Sequence, residues 1–404
     1  MYKYVILGAG PAGLTFANKL KDVGETSFVV LEKEAVAGGL CRSQDVDGFP
    51  LDIGGGHFLD KKYPEVNEYL FQFMPESEWT LFTRDSRIKI NDSMIAHPLE
   101  ANIWQMDLSN QVAYLKSVAA AGCNTGESMP SKFVDWIYWK LGKKIADDYM
   151  IPYNQKMFGE NLNVLGTYWL EKLPNVSFEE TLLSCLSKKA YGTQPGHAQF
   201  YYPKKYGYGE LWLRMADRVK DHMKYHSSIK QIDFDKMTVS DCCGNDYKAC
   251  NMIVTIPWAS VKRLIGMPVS MIEGVKKLQS SSVQIDYQPC NINTDAHWIY
   301  VPDSDLAYHR ILVRHNFCPG SSGYWTETNV NRIGQMKQTS AFSYLNVYAY
   351  PLNTLDKPQI MNRLLKFAKE KKVYGLGRWG EHEHYNSDVT VKRAFELFNK
   401  IYEK

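Results

Sequence analysis

The chain has 404 residues, and its 47 Lys and Arg against 44 Asp and Glu leave a formal net charge of +3, which excludes an electrostatic case for nucleic-acid binding. That length supports two or three domains around a large core. No apolar run approaches the roughly 20 residues of a membrane span, and the chain opens directly into a strand pattern without a signal peptide, so a cytoplasmic protein is expected.

Residues 2–34 read as a complete strand, turn, helix and strand. Val5, Ile6 and Leu7 form a short apolar run suited to a buried parallel strand, and Gly8, Gly10 and Gly13 follow in the spacing G-x-G-x-x-G. Gly8 permits the tight turn, Gly10 lets the backbone approach a pyrophosphate, and Gly13 lets the next helix pack close to its strand. The helix N-terminus then faces the phosphates with free N–H groups and the positive end of its dipole. A second apolar strand, 28–31, ends on Glu32, the right distance on for a carboxylate that accepts from both ribose hydroxyls. Two more glycine turns follow closely: Gly38, Gly39, Leu40 and Arg42, then Asp52-Ile53-Gly54-Gly55-Gly56-His57. They place backbone beside a long ligand, as where a flavin ring extends beyond its adenine half.

Further on, 63–73 has helical spacing. The stretch 81–95 alternates like a strand, with Arg84, Ser86, Arg87 and Lys89 on it and a hairpin turn at Asn91-Asp92. Pro98 starts a mostly helical region to about residue 187, with a helix over 109–121 capped by Ser109 and another over 132–149. Pro152, Tyr153 and Asn154 read as a loop in this region. Residues 200–203 lead into a helix over 210–220, and 228–234, 237–240 and 247–256 read as strands. A second sheet follows, with strands over 282–286, 296–301, 308–315 and 341–350. The chain closes with a glycine-rich strand end at Gly375-Leu376-Gly377-Arg378 and a helix over 389–402 capped by Ser387 or Asp388.

The eight cysteines include no C-x-x-C pair, which reads as reduced structural thiols rather than zinc ligands. His382 and His384 are two apart with no further ligand evident, so no metal is expected. With 26 Tyr and 10 Trp, the composition supports a stacking site for a planar group.

The motifs G-A-G-P-A-G-L, L-E-K-E-x-x-x-G-G-L, D-I-G-G, F-Y-Y-P-K and G-R-W-G-E-x-E-x-Y-N-S-D together resemble flavoproteins that include monoamine oxidases, protoporphyrinogen oxidase and UDP-galactopyranose mutase. The middle of the chain is most similar to the mutases. It has His97-Pro98-Leu99-Glu100-Ala101-Asn102-Ile103, Pro152 to Lys156, Trp169 to Lys172, and His297-Trp298-Ile299-Tyr300-Val301-Pro302 followed by Tyr308-His309-Arg310. Four positions depart from the mutase pattern. Gly56 stands where the family has a histidine, with His57 one residue later, and Lys172 stands for a phosphate-binding Arg. Glu100 replaces a Gln on the uridine side, and His384 replaces a Tyr near the flavin edge.

The resemblance implies an α/β fold (α+β overall). A Rossmann-type FAD-binding domain spans 1–80, 200–265 and 355–404, with an inserted helical substrate-side domain over 105–190. A second, antiparallel sheet forms a substrate domain over 81–104 and 266–354. It also implies FAD held by Gly8, Gly10, Pro11, Ala12, Gly13, Glu32, Lys33, Gly39, Leu40, Arg42, Gly55, Gly56, His57, Gly377, Arg378, Asn386, Ser387 and Asp388. The implied activity, part of polysaccharide biosynthesis, interconverts the pyranose and furanose forms of a nucleoside diphosphate sugar, with N5 of reduced FAD as the nucleophile. Arg310, Lys172, His57 and Tyr300 are the implied catalytic residues. Arg84, Tyr153, Asn154, Lys172, Tyr300 and Arg310 are the substrate-binding ones, their cations holding the diphosphate. The partner is the nucleotide sugar, with no nucleic acid and no membrane span. A homodimer is one expectation for its assembly, which the sequence does not fix. The alternative on the same motifs is an FAD-dependent oxidase or desaturase of the amine oxidase or protoporphyrinogen oxidase type. Rab GDP-dissociation inhibitors resemble the fold without flavin chemistry, and the intact glycine turns argue against a non-catalytic protein of that kind.

Overall fold

The structure, a computed structural model, describes residues 1–90, 92–170, 173, 175–192, 197–336 and 340–402. Its centre is the strand Tyr2–Leu7, which pairs in parallel with Phe28–Leu31 on one side and Asp246–Val254 on the other. Both faces of this sheet are covered, because successive side chains point to opposite faces. Tyr4, Ile6, Phe28 and Val30 enter one apolar core, while Val5, Leu7, Val29 and Leu31 enter another. Among the described residues, Met223–Lys224 extends this sheet beyond Phe28–Leu31, and Val373–Gly375 pairs in parallel with Asp246–Val254. Gly8, Glu32, Thr255 and Leu376 therefore follow the carboxyl ends of neighbouring parallel strands, the edge where open α/β sheets bind ligands.

A second sheet runs in the order Phe342–Pro351, Ser280–Gln288, Tyr324–Asn329, Arg310–Leu312, Trp298–Tyr300, Ser86–Ile90, Ser93–Ala96. Its register places Tyr300 opposite Arg310, Arg310 opposite Glu327, and Glu327 opposite Ile285. Register partners point to the same face, so these residues form one row. The helices Leu108–Ala119 and Phe133–Ile145 share an apolar cluster with Ile88, Ile90 and Ile95 of this sheet.

The α/β class expected from the sequence is the one found, with differences in detail. The expected hairpin is present, Ser86–Ile90 pairing antiparallel with Ser93–Ala96, but it does not reach back to residue 81. Trp79–Thr83 pairs with Gln199–Pro203 in a small separate sheet, and Ser86–Ile90 joins the large one, so the chain changes sheets at Arg84 and Asp85. Asn91 lies outside the described residues. Asp107, not Ser109, caps the helix Leu108–Ala119, its carboxylate accepting from the Asn110 N–H at 2.9 Å. Pro152, Tyr153 and Asn154 lie on a helix, Ile151–Phe158, which continues from the π-helical turn Ala146–Met150, so the proline falls just after a bulge and not in a loop. The strand Tyr324–Asn329 and the helices Val269–Lys277 and Lys357–Glu370 had no counterpart in the sequence reading. The final helix begins at Ser387, two residues early. The Ser387 hydroxyl pairs with Tyr208 Oη at 2.6 Å instead of capping it, and the Asp388 carboxylate accepts from the Val389 N–H.

Candidate functional site

A cavity of about 500 Å³ lies along the carboxyl edge of the parallel sheet. The helix Pro11–Asp22 points its N-terminus there, and no side chain caps it, which leaves backbone N–H groups open toward an anion. Glu32 lines the same wall. Its carboxylate accepts from Ala9 N–H at 2.7 Å and Glu34 N–H at 3.0 Å, which orients it beside the first glycine turn. The second turn meets the first backbone to backbone, since a Cβ on Gly39 would stand 3.1 Å from the Gly10 Cα. Side chains at either position would fill the groove between them. Apolar residues from Ile229, Pro257, Leu345 and Val347 complete the walls.

One end of the cavity is cationic. Arg378 lines it, donating through Nε to Tyr385 O at 2.9 Å and through Nη1 to Ala349 O at 3.0 Å. Among the described residues it has no carboxylate partner, and burial lowers its pKa. His57 lines the same end. A carbonyl can only accept, so the 3.1 Å contact with Gly55 O puts the proton on Nδ1 and leaves Nε2 an acceptor. Burial, then the charge of Arg378, pushes its pKa down to about 3, with Arg310 acting in the same direction.

Arg310 belongs to the row on the second sheet. Its Nε and Nη2 donate to Glu327 at 2.9 and 2.7 Å, and Nη2 lies 3.3 Å from Tyr350 Oη. Among the described residues its Nη1 has no hydrogen-bond partner. Glu327 is 1% exposed. Burial raises its pKa, but Arg310 and His309 outweigh that and hold it at about 2. Next in the row, Tyr300 Oη accepts from Arg84 Nη2 at 3.1 Å and Trp298 Nε1 at 3.1 Å, so its own proton remains to donate. Tyr153 meets Tyr300 edge to face at 5.4 Å, and His384 stands 4.9 Å from the Tyr350 ring. This row combines guanidinium groups with phenols that can donate hydrogen bonds, and Arg84, Tyr153, Tyr300 and Arg310 are not among the residues that line the cavity.

Of the residues singled out from the sequence, Gly8, Gly10, Pro11, Ala12, Glu32, Lys33, Gly39, Leu40, Arg42, His57, Arg378 and Ser387 line the cavity. Gly13 packs behind the turn, where a Cβ would stand 2.0 Å from Gly8 O, and Gly377 packs on Ala12. Gly55 and Gly56 face Glu327. Asp388 turns to the opposite side, its carboxylate 3.3 Å from the Asp60 N–H and 3.8 Å from His197 Nε2, and Asn386 is not among the lining residues. Arg84 is tied to Ser86, His97 and Tyr300 and lies 4.8 Å over the Trp298 ring. Asn154 donates to Met150 O within its own helix, at 2.7 Å. Lys172 lies outside the described residues. Sequence reasoning missed Glu327, and with it Tyr350. Its signal was the alternation of Tyr324 to Asn329 beside an already recognised Arg strand.

Residues 6–73 match the model of an NAD(P)-binding Rossmann-like domain. The chain is 48% identical over 52 residues, 13% of its length, to an uncharacterized protein in the nifH2 3' region of Methanothermococcus thermolithotrophicus. It is 32% identical over 88 residues, 22% of its length, to a Baeyer-Villiger monooxygenase of Pseudomonas aeruginosa. These matches span 49% and 15% of the two relatives. The whole chain superimposes on 94% of a solved structure of reduced UDP-galactopyranose mutase with a TM-score of 0.88 at 20% identity. It superimposes on 99% of a candidate protoporphyrinogen oxidase from Exiguobacterium sp. 255-15 with a TM-score of 0.71 at 12% identity. Cyclohexylamine oxidase from Brevibacterium oxydans gives 0.65 at 14%, with both chains fully covered. At these identities the likeness is one of fold, and the fold expected from the sequence motifs is the one found.

Proposed function

We propose that this chain is a flavin-dependent mutase that interconverts the pyranose and furanose forms of a nucleoside diphosphate sugar, with FAD in the cavity. Three features of the cavity fit that cofactor: an uncapped helix N-terminus for the pyrophosphate, Glu32 for the ribose, and the buried Arg378 guanidinium, without a carboxylate partner, at the far end. When bound and reduced, FAD supplies a nucleophilic ring nitrogen for exchange at the anomeric carbon, with no net transfer of electrons. The chain's own residues hold what leaves and returns. Arg310, through Nη1, binds the diphosphate in a site buried enough to strengthen the contact. Tyr300 donates its remaining proton to the same group, while Arg84 and Trp298 hold its ring in place. His57, kept neutral, offers Nε2 as an acceptor at the cofactor.

The observation that carries this reading is that Arg378 and His57 line one end of the cavity and the charge of Arg310, with Tyr300 opposite it in the sheet, acts on that same His57 from just beyond the lining residues. An amine oxidase needs an apolar or aromatic cage there, since converging cations repel its substrate. The test is anaerobic incubation of the dithionite-reduced protein with a panel of nucleoside diphosphate sugars, followed by product analysis. Ring isomerisation is expected with the reduced protein only. Peroxide release by the oxidised protein on an amine, without isomerisation, would overturn the reading in favour of an oxidase.

A further inference from the structure

Several donors meet on one buried carboxylate where the turn at Gly55 and Gly56 touches the second sheet. Glu327 accepts from Nε and Nη2 of Arg310, from the Gly56 N–H at 3.2 Å and from Tyr350 Oη at 3.3 Å. Gly55, one residue earlier, has φ +96°, and a Cβ there would stand 2.7 Å from Glu327 Oε1. The turn takes this path because it carries no side chain and because a carboxylate waits for its N–H. The next residue is His57, whose ring lines the cavity. Gly56 is also the position at which this chain departs from the mutase-like motif, displacing the histidine by one residue. Glu327 thus bonds both the guanidinium that faces substrate and the backbone that aims His57 at the cofactor.

We propose that Glu327 is a positioning residue that ties the orientation of Arg310 to that of His57, so that one side chain sets both substrate affinity and the environment of the flavin. This rests on the reading of the cavity as a flavin site; only its substrate half rests on the mutase reading. A carboxylate has about four lone-pair sites and no donor, which suits converging N–H and O–H groups. Glu327→Gln turns an NH2 group against one of them. Glu327→Asp keeps the charge near Arg310 but withdraws it from Gly56 by one methylene.

The experiment compares purified flavin-loaded wild type, Glu327→Gln and Glu327→Asp by flavin content, visible spectrum, reduction potential, and KM and kcat on a nucleotide sugar. Glu327→Gln is expected to keep its flavin, because Glu327 does not line the cavity. Its spectrum and potential should shift, and its KM should rise at least about tenfold, with a smaller change in kcat. In Glu327→Asp the flavin shift should persist while KM changes less than about threefold. If Glu327→Gln proves insoluble, Glu327→Asp carries the flavin comparison. A wild-type spectrum and potential in both variants would overturn the proposal, even with a raised KM, since Glu327 would then serve Arg310 alone. If wild type isomerises no nucleotide sugar, the mutase reading fails, while the spectra and potentials still decide the coupling.

Discussion

On the side of the glycine turns, the cavity is walled by the backbone of Gly8, Gly10 and Gly39 and by side chains of the same local stretch, residues 8 to 42, joined by the start of the last helix. Beyond its His57 and Arg378 end, outside the residues that line it, a second wall on the large sheet is made of single side chains drawn from residue 84 to residue 350: Arg84, Tyr300, Arg310, Glu327 and Tyr350. A backbone wall depends on what is absent. A Cβ at Gly13 or Gly39 occupies space that the fold has already used, whereas most side chains nearby can vary. A side-chain wall depends on what is present, and each group is held by the next.

The largest effect is expected on the backbone side. At Gly13 a Cβ would lie 2.0 Å from Gly8 O, so Gly13→Val should separate helix from strand and abolish flavin retention. Stability should fall by roughly 3 kcal/mol or more, at the upper end of overpacking costs, as read by thermal melting and flavin absorbance. A variant that melts normally and stays yellow would remove the contrast between the two walls.

On the other wall Arg310→Met leaves Glu327 buried without its cation. Breaking such a pair costs about 3–5 kcal/mol, and loss of the diphosphate contact should lower kcat/KM about a hundredfold or more. Flavin content should persist in this variant, which is what distinguishes the walls. Glu32→Ala tests the cofactor side more gently. Charge-assisted bonds are worth about 1.5–3 kcal/mol, so flavin should bind about ten- to a hundredfold more weakly, by dialysis or fluorescence titration. Unchanged flavin affinity would count against the ribose assignment. Tyr300→Phe removes the acceptor of two 3.1 Å bonds. A change of roughly 1 kcal/mol in substrate binding, a fivefold rise in KM, is expected with flavin content unaltered.

His57 supplies the smallest test, a dependence on pH. Its pKa falls from 6.5 to about 3 on folding, so between those values the unfolded chain takes up the proton first. Its share of stability is complete above about pH 6.5 and is lost as the pH falls toward 3. In chemical denaturation His57→Asn should flatten that slope by at most about 1.4 kcal/mol per pH unit. An unchanged slope would mean that the His57 ring is solvated rather than buried beside Arg378.

The glycine-turn wall of the cavity was largely legible in the sequence. Its spacing rules act over three to twenty residues, and glycine is demanded by local geometry whatever the rest of the chain does. Gly8, Gly10, Glu32, Gly39 and Arg378 could therefore be named without knowing the fold. Asp388 misled for the opposite reason: its place in the first turn of a helix was readable, but the side of the helix it occupies was not. Lys156, named in the sequence only as the end of the segment Pro152 to Lys156, is fully buried and donates to Val301 O and Asp303 O at 2.8 and 2.7 Å.

The sequence by itself determined that a strand, a bare glycine turn, a helix and the acid Glu32 would meet at one edge of a parallel sheet, because every step is local chain geometry. Only the tertiary structure decided that Glu327 stands opposite Arg310 and bonds Gly56. Strand register joins residues 310 and 327, and a turn brings the Gly56 N–H to the same carboxylate, through contacts that no short-range spacing records.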